Sequence, residues 1–312
     1  MRAAVCTRYG PPEVLLLQDV EKPVAKDDEV LIKIHATTVS SSDCFVRNAL
    51  RSAPLTMQVA MRLAVGIQRP RKPILGLVLA GKIESAGKAV RRLRAGDRVY
   101  AFTNLRFGTY AQYTCLPEAS TLAFAPSNLT FEEAAAIPYG GLLALHYLRK
   151  GGVRGGQRVL IYGASRAVGT SAVQLARHFE AMVTAVCGST NLELARSLGA
   201  DTVIDYTKED APGAGTLYDL VLDAVGKRKT SRLKASCRKA LAPGGKYISV
   251  DSGTPQLPAS DLELLKELVE AGKVRPVIDR RYALEQIAEA HRYVEQGHTK
   301  GNVVVTVAHE SA

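Results

Sequence analysis

Residues 161–169 read IYGASRAVG. The RVL before them completes an apolar strand, and the TSAVQLARHF after them continues as an amphipathic helix. Where a strand turns sharply into a helix, backbone amides and the positive end of the helix dipole converge, and that point can hold a pyrophosphate if no side chain shields the backbone. Gly163 and Gly169 bracket this turn, but Arg166 and Ala167 stand between them where glycine is usual. A lone glycine pattern carries little weight, so the neighbouring sequence has to decide.

After Pro126, strand-like and helix-like pieces alternate: RVLIYGA, SAVQLARHF, MVTAVCG, NLELARSLG, TVIDY, YDLVLDAVG, SRLKASCRKAL, KYISVDS. Continuous apolar strands alternating with amphipathic helices predict a parallel sheet covered on both faces, with IYGASRAVG closing its first strand. Five strands can be counted. Only GTPQLPA separates Ser252 from the helix SDLELLKELVEAGK, which leaves no room for the sixth strand of a doubly wound sheet. Upstream, Thr130 and Glu133 fit a capping box opening one helical run, EEAAAIPYGGLLALHYL.

Residues 1–122 have a different texture. RAAVCTRYG, EVLIKIHATTVS, LAGKIESAG, DRVYAF and TYAQYTCL alternate apolar and polar positions between Gly, Pro and Asp, predicting a β-rich domain. Within residues 49–72, TMQVAMRLAVGI reads as a helix, either a lid over an apolar site or a packed connector. The C-terminal VIDRRYALEQIAEAHRYVEQGHTKGNVVVTV reads strand, helix, strand, and returns to the β-rich part. Two domains are therefore expected, residues 1–122 with 276–312 and residues 123–275.

Composition narrows the function classes. The 312 residues are 46% hydrophobic and 23% charged, ordinary for a globular protein, and no apolar run approaches the roughly 20 residues that span a bilayer. With no signal-like start, a cytoplasmic location is expected. The five cysteines are scattered without a C-x-x-C pair, so no redox or zinc lobe is indicated. The net charge of +11 is spread out, its densest clusters being RPRK at 69–72 and KRK at 227–229, and with six Phe and no Trp there is no aromatic-basic interleaving. A nucleic-acid partner is not expected; a polyanionic cofactor is.

The end of the second strand sharpens that expectation. An Asp or Glu about 20 residues after the turn would bind a ribose 2′-hydroxyl. Residues 185–191 read AVCGSTN, with no acid, and Ser189, Thr190 and Asn191 can donate to a 2′-phosphate, so NADPH is favoured over NADH.

Together YGPPEVL, GDRVYAF, FGTYAQY, EEAAAIPYGGLLALHYL, VLIYGASRAVG, SLGADTVIDY, DLVLDAVG and KGNVVVTV resemble the medium-chain dehydrogenase/reductase superfamily almost end to end, in its zinc-free quinone oxidoreductase-like branch. The resemblance implies an α/β fold, with a GroES-like β-rich domain and a Rossmann doubly wound parallel sheet, here shortened by its sixth strand. It implies NADPH-dependent reduction of quinones or α,β-unsaturated carbonyls, an apolar small-molecule substrate and a cleft between the domains. A homodimer is possible, but the usual sheet-edge pairing is in doubt without the sixth strand.

The resemblance also assigns residues. The superfamily's zinc-ligand positions fall on Ser40, Leu77, Val78 and the neighbourhood of Tyr139, so no metal is expected. Ser40 and Asp43 lie where relatives carry polar groups facing the nicotinamide, with Tyr110 and Tyr139 as further donor candidates. Gly163, Ala164, Ser165, Arg166, Ala167, Val168 and Gly169 would form the pyrophosphate turn. Gly188, Ser189, Thr190, Asn191 and Tyr206 would form the adenosine-phosphate end, and Val225, Gly226, Val250, Asp251, Ser252 and Asn302 would line the rest of the cofactor site. Leu143 replaces a cofactor-contacting Thr, and Val78 an acid.

Two readings compete with this one. A short-chain dehydrogenase would share a G-A-S-R turn, but its Tyr-x-x-x-Lys pair does not occur here. That family nevertheless suggests a role for Arg166, either reaching the 2′-phosphate or pointing to solvent. A nucleotide-binding sensor with little catalysis is the second reading, motivated by the shortened sheet, Leu143 and Arg166.

Overall fold

The computed structural model describes residues 1–48, 58, 59, 62, 63, 65–213, 215–226 and 231–309. Much of the 49–72 helix and the whole 227–229 cluster lie outside the described residues.

The chain opens with a two-stranded ribbon, β1 (Arg2–Cys6) against β2 (Leu15–Asp19). The long β3 (Glu29–Val39) leads into helix α1 (Ser41–Arg47). Next come β4 (Val78–Ala86), β5 (Arg98–Phe102), β6 (Tyr113–Pro117) and β7 (Leu122–Phe124). Two helices follow, α2 (Phe131–Ala135) and α3 (Pro138–Gly151). The capping box of Thr130 and Glu133 forms as the sequence predicts. The single helical run does not, because Pro138 lacks an N–H and its ring crowds the preceding turn, so the helix stops and restarts there.

The parallel part comprises β8 (Arg158–Tyr162), α4 (Ala167–His178), β9 (Met182–Cys187), α5 (Leu192–Ser197), β10 (Thr202–Asp205), β11 (Tyr218–Asp223), α6 (Arg232–Lys239) and β12 (Leu241–Ser249). Helix α7 (Ala259–Glu270), strand β13 (Ile278–Ala283), helix α8 (Ile287–Gln296) and strand β14 (Asn302–Thr306) complete the chain.

Two compact units result, each with its own sheet. The first comprises Met1–Pro138, Pro258–Lys266 and Ile278–Ala312. Its main sheet runs β13-β14-β3-β4-β5-β7, with β6 also on β3, a GroES-like arrangement. The C-terminal strands join it as expected, β14 antiparallel to β3 and β13 parallel to β14. Its limits are wider than the sequence suggests. His35 stacks on Phe131 with ring centroids 4.5 Å apart, and the Tyr100 hydroxyl donates to the Leu262 carbonyl, so residues 123–138 and 258–266 pack with the β-rich sheet.

The second unit, Tyr139–Leu257 and Glu267–Val277, holds a five-stranded parallel sheet in the order β10-β9-β8-β11-β12, a Rossmann half-sheet extended by two strands. Among the described residues no sixth strand follows β12. Leu160, Val186, Ile204, Val221 and Leu233 pack in its core, and burying each such side chain contributes about 1.5–3 kcal/mol. Register aligns the strand ends: Tyr162 pairs with Val186 and Asp223, Cys187 with Asp205, and Asp223 with Ser249. Every loop leaving these ends therefore gathers on one edge of the sheet, where ligands of open α/β sheets bind.

Candidate functional site

The turn after β8 is built for close approach of its own backbone. Gly163 has φ +85°, and a Cβ there would lie 2.5 Å from Val225 Cγ2. At Gly169 an added Cβ would meet the Gly163 carbonyl oxygen at 2.1 Å, and at Gly140 on α3 the Ala167 carbonyl oxygen at 2.3 Å. Glycine is therefore required at all three positions, and α3, the turn and α4 are drawn tightly together. The Gly163 and Ala164 amides both donate to the Val186 carbonyl at 3.0 Å, which fixes the turn on the sheet. Arg166 is half-buried in extended backbone (φ −93°, ψ 174°) as the N-cap of α4 and makes no side-chain capping bond. Its side chain leaves the backbone geometry of the turn intact.

At the fourth and fifth strand ends, Asp223 is the organiser, a residue the sequence reading passed over. Its carboxylate is buried, and Oδ1 accepts the amides of Val225 (3.1 Å) and Gly226 (3.0 Å). Oδ2 takes the Tyr247 hydroxyl at 2.8 Å and the Lys234 ammonium at 2.7 Å. Gly226 has φ +74°, and a Cβ there would lie 2.4 Å from Asp251 Oδ2, so the loops after β11 and β12 touch. Tyr147 holds the second of these loops through the Val250 carbonyl (2.7 Å), and Lys150 does so through Ser252 (2.8 Å). Burial and the nearby Tyr139 and Asp251 push the Tyr147 phenol up to about 12. Gly163, Val225, Gly226, Asp251 and Ser252 thus form one edge, with Tyr139 on the same unit.

Residues 185–191 carry no acid, but the structure sets one beside them. The loops after β9 and β10 lie side by side, the Tyr206 ring resting against Gly188, where an added Cβ would be 3.5 Å from it. Between them sits Asp205, 5% exposed, whose Oδ2 accepts the Ser189 hydroxyl and whose Oδ1 accepts Thr207 Oγ1 at 2.6 Å and Thr207 N at 3.0 Å. These hydrogen bonds hold the Asp205 carboxyl below the usual carboxylate range. The acid comes from the neighbouring strand, not from residues 185–191, so inspection of the second strand alone could not find it.

In the first unit, Ser40 caps α1 and forms a capping box with Asp43. Asp43 Oδ2 accepts both the Ser40 amide (2.8 Å) and the Ser40 hydroxyl, while Oδ1 is buried with no hydrogen bond among the described residues. Burial pushes Asp43 up to about 6, against the opposing pull of the Ser40 hydrogen bonds and the nearby Tyr110 hydroxyl. Tyr110 is fully buried, and burial together with the Asp43 charge raises its phenol well above the ordinary value. Asn302 precedes Val303, the partner of Val39, and so lies at the sheet end beside Ser40.

His291, on the buried face of α8, extends this cluster and was not anticipated. Its Nε2 lies 3.2 Å from the Tyr110 hydroxyl and its Nδ1 3.4 Å from Cys44 Sγ. Burial, with the Arg47 charge adding to it, holds the ring well below its usual pKa, so it is neutral. The available signal was a histidine in the apolar stripe formed by Ile287, Ala290 and Val294. The structure therefore groups Ser40, Asp43, Tyr110 and Asn302, with the Ser40 hydroxyl donating to Asp43. Among the described residues, no three His, Cys, Asp or Glu side chains converge to hold a metal.

A GroES-like unit joined to a Rossmann unit with a glycine-built turn defines a dehydrogenase or reductase architecture, and comparison with known proteins places it. The model of the alcohol dehydrogenase GroES-like domain matches residues 26–126, and that of the zinc-binding dehydrogenase matches residues 198–263 and 254–305. A tomato (Solanum lycopersicum) 2-methylene-furan-3-one reductase is 33% identical over 98% of this chain and 79% of its own length. An NADPH-dependent alkenal/one oxidoreductase, chloroplastic, of Arabidopsis thaliana shows the same identity and coverage. The structure of a quinone oxidoreductase from Coxiella burnetii superposes with a TM-score of 0.85 at 28% identity, covering 99% of both chains. The chain belongs to the medium-chain dehydrogenase/reductase superfamily, where it matches proteins named as quinone and alkenal oxidoreductases, and is an oxidoreductase. Among the described residues no helix is long and apolar enough to cross a membrane.

Proposed function

We propose that the chain is a zinc-independent, NADPH-dependent reductase of apolar quinones or α,β-unsaturated carbonyls. The observation that carries this reading is the cradle of Gly163, Gly169 and Gly140, where an added side chain would collide with backbone at Gly169 and Gly140 and with Val225 at Gly163, in a chain whose relatives include an NADPH-dependent alkenal/one oxidoreductase. The residue types at Ser40, Leu77, Val78 and Tyr139 supply none of the thiolate, imidazole and carboxylate set that a catalytic zinc takes, which supports a metal-free mechanism.

NADPH, when bound, supplies the hydride that adds to the β-carbon of an enone or to a quinone carbon. The residues of the second unit would orient it: Gly163 to Gly169 would receive the pyrophosphate, and the Asp223-held Val225–Gly226 turn and the 250–252 loop would hold the reactive end. In the first unit the Ser40–Asp43 pair handles the proton. When Asp43 is protonated its proton lies on the Ser40 hydroxyl, which is then free to donate to the enolate oxygen; as the Ser40 proton leaves, that of Asp43 replaces it, and solvent reprotonates Asp43. The Tyr110 hydroxyl near Asp43, itself against neutral His291, adds no charge to the pair.

The test is NADPH oxidation followed at the nicotinamide absorbance with an alkenal and a quinone, with and without chelator. Turnover indifferent to chelator supports the reading, and a stoichiometric zinc requirement contradicts it. Tight NADPH binding without turnover on any carbonyl would instead support the sensor reading. The activity is expected in the cytosolic fraction of the source cell.

A further inference from the structure

At the adenosine-phosphate end the Ser189 hydroxyl is already engaged within the chain. The Ser189 and Thr207 protons are both given to Asp205, so their oxygens, 3.0 Å apart, present lone pairs to anything placed above them. The buried Asp205 carboxylate beneath these hydroxyls repels a phosphate, and a cation beside it would offset that repulsion.

One cation is already gathered at the same atoms. Lys208, two residues beyond Tyr206, places its Nζ 4.0 Å from Asp205 Oδ2, the oxygen that also carries the Ser189 hydroxyl. The turn that delivers it is fixed: the amides of Lys208 and Glu209 donate to the Asp205 carbonyl at 3.0 and 2.9 Å, and the Glu209 carboxylate caps the Asp205 amide at 3.0 Å. The side chain is 73% exposed, so its head is free to turn from Asp205 to a ligand without breaking any packing. Asp205 keeps its three hydrogen-bond donors when Lys208 moves, and so is not left as a bare buried charge. Glu209, engaged with the Asp205 amide, is the opposing acid on the same turn.

We propose that Lys208 is the specificity-determining residue for the 2′-phosphate of the cofactor, held ready by Asp205, while the Ser189 hydroxyl is a structural group and not a phosphate ligand. This rests on the reading of the chain as an NADPH-binding reductase. It puts the phosphate-reading cation on the third strand's loop, where neither the glycine turn nor residues 189–191 would lead one to look.

The experiment is calorimetric titration of NADPH, NADH, adenosine 2′,5′-bisphosphate and adenosine 5′-monophosphate into wild type, Lys208→Ala, Lys208→Arg and Ser189→Ala. Lys208→Ala should weaken NADPH and the bisphosphate about tenfold and leave NADH and the monophosphate within twofold. The arginine variant should restore binding, and Ser189→Ala should change NADPH by less than threefold. Unchanged NADPH binding in Lys208→Ala, equal losses for both cofactors, or a tenfold loss in Ser189→Ala would overturn the proposal while leaving the reductase reading in place. A wild type that binds NADPH no better than NADH would instead count against the NADPH reading itself.

Discussion

The two units build their sites from opposite materials. In the Rossmann unit the site is backbone: Gly163, Gly169 and Gly226 matter because nothing larger fits, and the amides around them do the holding. In the GroES-like unit the site is a buried side-chain network, Ser40, Asp43, Tyr110, His291 and Cys44, linked by Ser40–Asp43, Tyr110–His291 and His291–Cys44 contacts. The first kind of site tolerates no added volume, and the second tolerates no change of proton inventory. The two should therefore fail differently when perturbed.

The largest effect is expected in the backbone-built site. Gly169→Val forces a side chain onto the Gly163 carbonyl, and cofactor binding should fall more than a hundredfold, with a stability loss of about 1–3 kcal/mol or more from overpacking. Titration beside a urea melt checks both. Next comes Asp223→Ala, which removes the carboxylate paired with Lys234 and frees the 225–226 turn. Breaking such a pair costs about 3–5 kcal/mol, and NADPH and NADH binding should weaken together.

The side-chain site should respond in rate and in pH profile. Asp43→Asn removes the proton store, and kcat should drop about a hundredfold, within the usual range for a lost general acid. Cofactor affinity should stay unchanged.

Asp43 also links stability to pH, and the sign follows from the direction of its shift. Its folded pKa, about 6, lies above the unfolded value, so the folded state holds the proton more tightly, and stability falls as pH rises from about 4 to about 6. Wild type should therefore lose about 2 kcal/mol relative to Asp43→Asn between pH 4.5 and 8, read from urea midpoints. The smallest effect is reserved for Arg166→Gly. If the guanidinium shares the 2′-phosphate with Lys208, NADPH binding weakens about threefold and NADH binding does not; equal changes would exclude that sharing.

The same contrast explains what the sequence revealed. The turn, the five strands, their missing sixth and the return of the C-terminal strands to the first unit were legible because glycine spacing and hydrophobic period report backbone geometry directly. The break at Pro138 was visible in AAAIPYGG, yet the apolar run on either side outweighed it. Asp205 and Asp223 escaped because their importance lies in which loops the parallel register brings together, and no local pattern encodes that. His291 lies about 250 residues from Cys44 in the chain and meets it only through the packing of α8 on α1. Ser40 was found by position, but its bond to Asp43 was not, since it forms only through the capping geometry of α1.

The central claim is that the chain reduces activated carbonyls with NADPH and without metal. It is tested most directly by the metal-free, chelator-treated protein with NADPH and an α,β-unsaturated aldehyde, following cofactor absorbance and the saturated product together. Equimolar loss of NADPH and formation of product, at a rate unchanged by added zinc, is the predicted result. No turnover until zinc is restored would contradict it.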